Sequence, residues 1–261
     1  MLTIDFNCDM GESSQFFRYD LEKDLALLKY VSSINLACGF HAGDAHTMNL
    51  LVKAALNRKI AIGAHPGFDD KENFGREQIQ LSPEKIYDIV LYQLGALYAI
   101  LKANRATMHH VKPHGALYSI AAKQPPVADA ICNAVFDFDE SLVIYGLSGS
   151  TLIRSAVQIG LQTASEVFAD RTYLPDGSLT PRSAANALIS DEKEAATQVL
   201  HVIKEGTVAT TDGSMFSLKA ETICIHGDGA NALSFAETIF NILTDQHVSI
   251  RKPEKGSNSY E

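Results

Sequence analysis

Residues 60–67 read IAIGAHPG: a short apolar run, a histidine, then a glycine two positions on. An uninterrupted apolar run of that length suits a buried strand, and glycine just past it lets the backbone turn sharply and approach a ligand. The same order recurs in CGFHAG (38–43), VKPHG (111–115) and ICIHG (223–227), so four of the nine histidines share one context. Further apolar runs lie at 2–8, 31–38, 108–112, 141–146, 162–169 and 222–227, that at 108–112 being the least apolar. Between them fall stretches of helical period near 20–30, 44–58, 84–103, 149–159, 190–205 and 230–244. Ser82 and Pro83 supply the cap and first turn of the longest. Strand alternating with helix builds a parallel sheet with helices outside. About seven such units with no linker between them predict the α/β class. The expected architecture is a single (β/α) barrel over residues 1–250, followed by a flexible polar tail, 251–261. An open doubly wound sheet fits the same periodicity. Residues 170–182 read as a turn-rich loop, 206–220 have no clear pattern, and 247–250 read as a strand or edge segment.

The 261 residues are 46% apolar and 20% charged, which supplies a full core and excludes a disordered chain. With 22 basic and 31 acidic residues the formal charge is -9, which argues against binding nucleic acid or an anionic membrane through the net field. A local basic pocket for a small anion remains allowed. The N-terminus MLTIDFNCDMGE lacks the pattern of a secretory signal, and no run approaches the ~20 apolar residues of a membrane span. Cys8, Cys38, Cys132 and Cys224 form no CxxC pair, so they are expected to be reduced core thiols in a cytoplasmic protein.

Polar residues gather just past the apolar runs: Asn7, Asp9 and Glu12; His41 and Asp44; His65; Lys112 and His114; Glu166, Asp170 and Arg171; His226 and Asp228. In a parallel barrel all these positions lie on the rim at the C-terminal ends of the strands, where barrel enzymes place their sites. Histidine moves protons near neutral pH, carboxylates orient it or act as bases, and Lys112 and Arg171 suit a carboxylate or phosphate. Asp9, His41 and His65 also form a candidate divalent-metal set, because imidazole with carboxylate suits zinc or manganese. Hydrolysis by an activated water is the simplest chemistry for such a set. His46 reads as a supporting group, His201 and His247 as surface residues, and one of His109 and His110 should face into the barrel. The sequence has no GxxxxGK[ST] phosphate loop, no GxGxxG fingerprint and no GxSxG elbow.

Six stretches, DFNCDMGE (5–12), INLACGFHAGDAHTM (34–48), GAHPGF (63–68), VKPHGALY (111–118), EVFADRTYLPDGSLTPR (166–182) and ICIHGD (223–228), closely resemble the LamB/YcsF family in the family's own order. Phe68 stands where an aromatic, often Tyr, is expected. The resemblance implies a seven-stranded barrel of the glycoside hydrolase/deacetylase type. It implies ATP-dependent opening of 5-oxoproline (pyroglutamate) to L-glutamate by a 5-oxoprolinase, in company with subunits B and C. ATP would be a co-substrate of the complex, with the partners helping to activate the lactam and this chain supplying the water-activating pocket. In that reading Asp9 and His41 handle the water, directly or through a metal, while His65 and His114 serve the departing nitrogen and the oxyanion. Lys112 and Arg171 hold the carboxylate or phosphate, Glu166, Asp170 and Asp228 orient those groups, and Asn7, Glu12, Asp44 and His226 contact substrate. Two other readings are a stand-alone metal-dependent deacetylase or amidohydrolase, and a non-catalytic lactam- or carbohydrate-binding protein of such a complex. A homo-oligomer is compatible with each.

Overall fold

The computed structural model describes residues 2–227, 229 and 231–255. Its strands are β1 (Thr3–Met10), β2 (Ser33–Ala37), β3 (Ala61–His65), β4 (His110–Val111), β5 (Val143–Leu147), β6 (Gln162–Phe168), β7 (Thr207–Ala209), β8 (Met215–Ser217), β9 (Thr222–His226) and β10 (Ser249–Ile250). Its helices are α1 (Leu21–Leu27), α2 (Ala45–Asn57), α3 (Pro83–Ala103), α4 (Gly115–Ala121), α5 (Pro125–Phe138), α6 (Thr151–Gln158), α7 (Glu192–Glu205) and α8 (Ala232–Asp245).

β1 through β6 and then β9 pair in parallel, and β1 also pairs with β9, which closes a seven-stranded barrel and rules out the open sheet. The register sets Asp9 level with Asn35 on one side and His226 on the other, and Ala37 level with His65. Strand-end residues from distant parts of the sequence therefore reach one rim.

The period-two alternation of TIDFNCDM sorts β1 into two faces. Ile4, Phe6, Cys8 and Met10 join the apolar core. Asp5, Asn7 and Asp9 face the barrel axis, where each is hydrogen-bonded: Asp5 accepts from Ser32, Ser33 and Thr222, Asn7 donates to Glu166, and Asp9 accepts from Asn35. Unpaired polar groups at such depth would each cost a few kcal/mol. β4 is only two residues long, and its inward position is His110, which stacks on Tyr145 at 3.9 Å and donates Nε2–H to Asn35 Oδ1 at 2.7 Å. His109 turns the other way, to the foot of the barrel.

Several segments differ from the sequence reading. Residues 113–140 carry α4 and α5, which the strand-and-helix alternation passes over; α5 packs against α3 and α6. The stretch without a clear pattern contains the β7–β8 antiparallel hairpin. Among the described residues α3 is the one helix long and apolar enough to cross a bilayer by length and composition. Its stripe of Ile86, Val90, Leu94, Leu97 and Leu101 is instead buried in the core. β10 adds in parallel to β1 beside the barrel, and the segment after it lies along the barrel's foot. There Arg251 N–H donates to Ile4 O at 2.9 Å, His109 Nε2–H to Pro253 O at 3.0 Å, and Lys255 Nζ to Met108 O at 3.3 Å. The rest of the expected tail, 256–261, lies outside the described residues.

The close approach of β3 to the axis depends on Gly63. A Cβ there would sit 2.3 Å from the His110 ring, which is fixed by Asn35 and Tyr145. Gly63→Ala is expected to destabilise the fold by ~1–3 kcal/mol, as overpacking does in a close-packed interior, with partial recovery in Gly63→Ala/His110→Ala. Chemical denaturation measures both, and an unchanged midpoint in the single variant would contradict this packing.

Candidate active site

The rim is assembled by turns that the glycines make possible. Past β1, the Gly11 N–H donates to the Asp24 carboxylate at 2.8 Å, and the chain brings Glu12 over the barrel mouth. β2 leads into the loop that carries His41, and β3 ends on His65. The loop after β3 returns to the mouth at Gly75, whose φ of 63° favours glycine and where a Cβ would lie 2.6 Å from His41 Cβ. β4 runs into Lys112 and His114, β6 into Asp170 and Arg171, and β9 ends on His226.

One group of side chains surrounds Lys112. Its ammonium lies 2.9 Å from Asp9 Oδ1, Glu166 Oε1 and Cys224 Sγ, and 3.3 Å from Asn7 Oδ1. Tyr118 donates to the other Glu166 oxygen at 2.8 Å. Burial opposes the ammonium, but Asp9, Cys224 and Glu166 together hold the Lys112 pKa well above its ordinary value. Burial likewise opposes the Asp9 charge, and His65 and Lys112 beside it hold its carboxyl well below the usual range.

A second group gathers around Glu12. Its Oε1 lies 3.2 Å from His114 Nδ1, 3.3 Å from His41 Nε2 and 3.8 Å from His65 Nε2. The His41 and His114 rings stack at 3.7 Å, and His65 Nε2 reaches across to Asp9 Oδ2 at 3.3 Å, joining the two groups. Burial and the neighbouring His114 push His41 down to about 3, so its imidazole is neutral. A third pair sits on the opposite wall, where Asp170 accepts from His226 Nδ1 at 2.9 Å and His226 stacks on Phe168.

Two cavities open on these groups and share Asp9 and Arg76. One of about 430 Å³ is lined by Asp9, His65, Lys112, His114, Phe168, Arg171, Arg182 and His226. The other, about 240 Å³, is lined by Asp9, Glu12, Tyr19, Asp24 and Phe74. The structure thus brings Asp9, Glu12, His65, Lys112, His114, Arg171 and His226 onto cavity walls. Glu166 lies beneath Lys112, Asp170 behind His226, and His41 behind His114; Asn7 is part of the interior network. Asp44 caps α2, accepting from His46 and Thr47 N–H at 2.9 and 3.0 Å, so it stays out of the site. Arg171 donates to Ala187 O and Thr180 O and so braces its own loop while still lining the larger cavity. In the metal-capable grouping Glu12 replaces Asp9 beside His41 and His65, because Asp9 is turned to Lys112. Asp228 lies outside the described residues.

Residues that the sequence reading passes over are Cys224, Tyr118, Asn35, Arg76 and Arg182. Cys224 is legible in principle, since it stands two positions before His226 on the same strand face; its apolar neighbours conceal it. Arg76 and Arg182 lie in loops, where no periodicity points a side chain.

A closed parallel barrel carrying titratable groups at the C-terminal ends of its strands defines the class of this protein as a barrel with an enzyme-like rim. The chain belongs to the LamB/YcsF family, whose model matches residues 4–258. It is 52% identical over 250 residues to the A subunit of 5-oxoprolinase from Brevibacillus brevis, covering 96% of this chain and 98% of that protein. The crystal structure of a lactam utilization protein from Thermus thermophilus superimposes with a TM-score of 0.89 at 42% identity, over 97% of this chain and 100% of that one. A family 4 carbohydrate esterase from Streptomyces lividans shares the fold at 12% identity, with a TM-score of 0.51 over 98% and 94% of the two chains.

Two outcomes follow from the buried charges. Lys112→Met leaves Asp9 and Glu166 without their cation and is expected to cost ~3–5 kcal/mol in denaturant unfolding; a cost below ~1 kcal/mol would mean the carboxylates are otherwise satisfied. Asp24 is raised by burial from 3.8 to about 6. Its raised folded-state value means that its stabilising contribution is complete below the unfolded value and fades as pH rises through about 6. The stability of the wild type relative to Asp24→Asn should therefore fall by up to ~3 kcal/mol between pH 4 and 7. Parallel pH profiles for the two proteins would refute that origin.

Proposed function

We propose that this chain is the A subunit of a 5-oxoprolinase. In a complex with partner subunits B and C, in the reducing cytoplasm, it opens the lactam of 5-oxoproline to L-glutamate with hydrolysis of ATP. The observation that carries this reading is the end-to-end similarity to relatives named as the A subunit of 5-oxoprolinase. The likeness to a carbohydrate esterase is one of fold alone and favours no second reading.

The chemistry fits the cavity. A lactam is a poor electrophile because its amide resonance must be broken. Phosphorylation of its oxygen by ATP, with the help of the partners, makes the ring carbon attackable. A water then adds to that carbon, and its proton passes to the rim. The C–N bond breaks with its electron pair going to nitrogen, which takes up a proton. The resulting acyl phosphate gives glutamate and phosphate with a second water. The larger cavity has complementary walls for this. Asp9 stands on one side to orient water and take its proton, with His65 3.3 Å away to hold that carboxylate in place. His114 adjoins them, and His226, oriented by Asp170, faces from the other side. Lys112 fixes Asp9, and Arg171, with Arg182 at the mouth, supplies positive charge for the carboxylate and phosphoryl oxygens.

The purified chain alone is expected to release no glutamate from 5-oxoproline, with or without ATP. Adding subunits B and C should give ATP-dependent turnover. In that complex Asp9→Asn and His226→Ala should lower kcat by ~10²-fold or more, the scale of a positioned acid or base. Turnover at wild-type rates in the Asp9→Asn complex would overturn the site, and failure of the wild-type complex to turn over would overturn the function.

A further inference from the structure

We propose that Glu12, His41, His65 and His114 form a binding site for one divalent transition-metal ion of the zinc class. Each residue comes from a different segment of the chain, and their candidate ligand atoms lie within 4.8 Å of one another. The outer faces of two of the rings fix where their protons are. His65 Nδ1 lies 2.7 Å from Lys112 O, and His114 Nε2 lies 2.8 Å from Phe74 O. A carbonyl only accepts, so both outer nitrogens carry hydrogen. The inner nitrogens, His65 Nε2 and His114 Nδ1, face each other across 2.9 Å and Glu12 Oε1 across 3.8 and 3.2 Å, so the space between them holds either a shared proton or a metal ion in its place. Two lone pairs and a carboxylate converging on one buried point repel unless a positive centre sits among them. An outer N–H held by a carbonyl is also how metal-bound histidines are oriented.

The spacing suits a metal. Four ligands placed tetrahedrally about zinc at ~2.0–2.1 Å lie about 3.3–3.4 Å from one another. The shorter separations here are 2.9, 3.2, 3.3 and 3.8 Å. His41 presents Nε2 to the same point, 3.3 Å from Glu12 Oε1, on a fully buried ring. Three imidazoles and one carboxylate favour zinc and its neighbours over magnesium or calcium, which prefer all-oxygen sets. A second grouping, Asp9 with Cys224 and His226, is less suited, because the Lys112 ammonium already lies 2.9 Å from both Asp9 and Cys224.

The test is independent of the 5-oxoprolinase reading, since it measures metal and not turnover. The full chain, stripped with a chelator and dialysed, is titrated with Zn²⁺ by calorimetry and with Co²⁺ by visible absorption. One equivalent per chain is expected, with the strong d–d bands of four-coordinate Co²⁺ and a Tm that rises with zinc. Glu12→Gln, His41→Ala and His114→Ala should each weaken binding by at least ~100-fold, more than loss of a typical supporting group around a metal ligand costs, and exposed His201→Ala should leave it unchanged. Should one variant fail to fold by circular dichroism, the other two carry the comparison. Absence of a stoichiometric site, the result if a proton alone bridges these rings, would overturn the proposal. So would binding that survives all three substitutions, or that is lost in Cys224→Ser instead.

Discussion

Lys112 leaves the end of β4 for the barrel axis, where its ammonium meets a carboxylate from β1, another from β6 and a thiol from β9. Two buried carboxylates without a cation would each cost several kcal/mol, and one cation alone in this interior would cost as much. The interaction thus holds three strand ends in one arrangement. Asp9, fixed through one oxygen by Lys112 and Asn35, turns the other toward His65. Through His65 the restraint passes to His114, Glu12 and His41. The mouth of the barrel is an extension of a polar interior that begins at Asp5 and is satisfied layer by layer.

This dependence explains what can be read in the sequence. The strands, the rim and four of its histidines are legible because an apolar run followed by a polar residue and glycine leaves a mark in one dimension. The closure of the barrel leaves none: it resides in the pairing of β1 with β9, more than two hundred positions apart. α4 and α5 escape the periodicity because they follow β4 without a strand between them, which breaks the simple alternation. Asp44 reads as a site residue because an N-cap and a site residue both stand just past a glycine turn. Cys224 reads as core because its neighbours Ile223 and Ile225 are core, although it shares a strand face with His226.

The family assignment and the geometry meet in the larger cavity. The sequence has no phosphate loop, and the cavity walls are furnished for proton movement and for holding anions. The proposed ring opening calls for walls of that kind. The proposed metal centre borders this cavity through His65, which places a second source of positive charge beside Asp9.

In the proposed site, residues from separate strands share one substrate cavity between His65 and His226. A crystal structure of this chain with 5-oxoproline bound tests it most directly. The expected result is the lactam ring between those two imidazoles, with the ring amide facing Asp9 and the carboxylate toward Arg171 and Arg182. Density for the ligand at the foot of the barrel, or on the outer helices with the cavity filled by side chains, would contradict it.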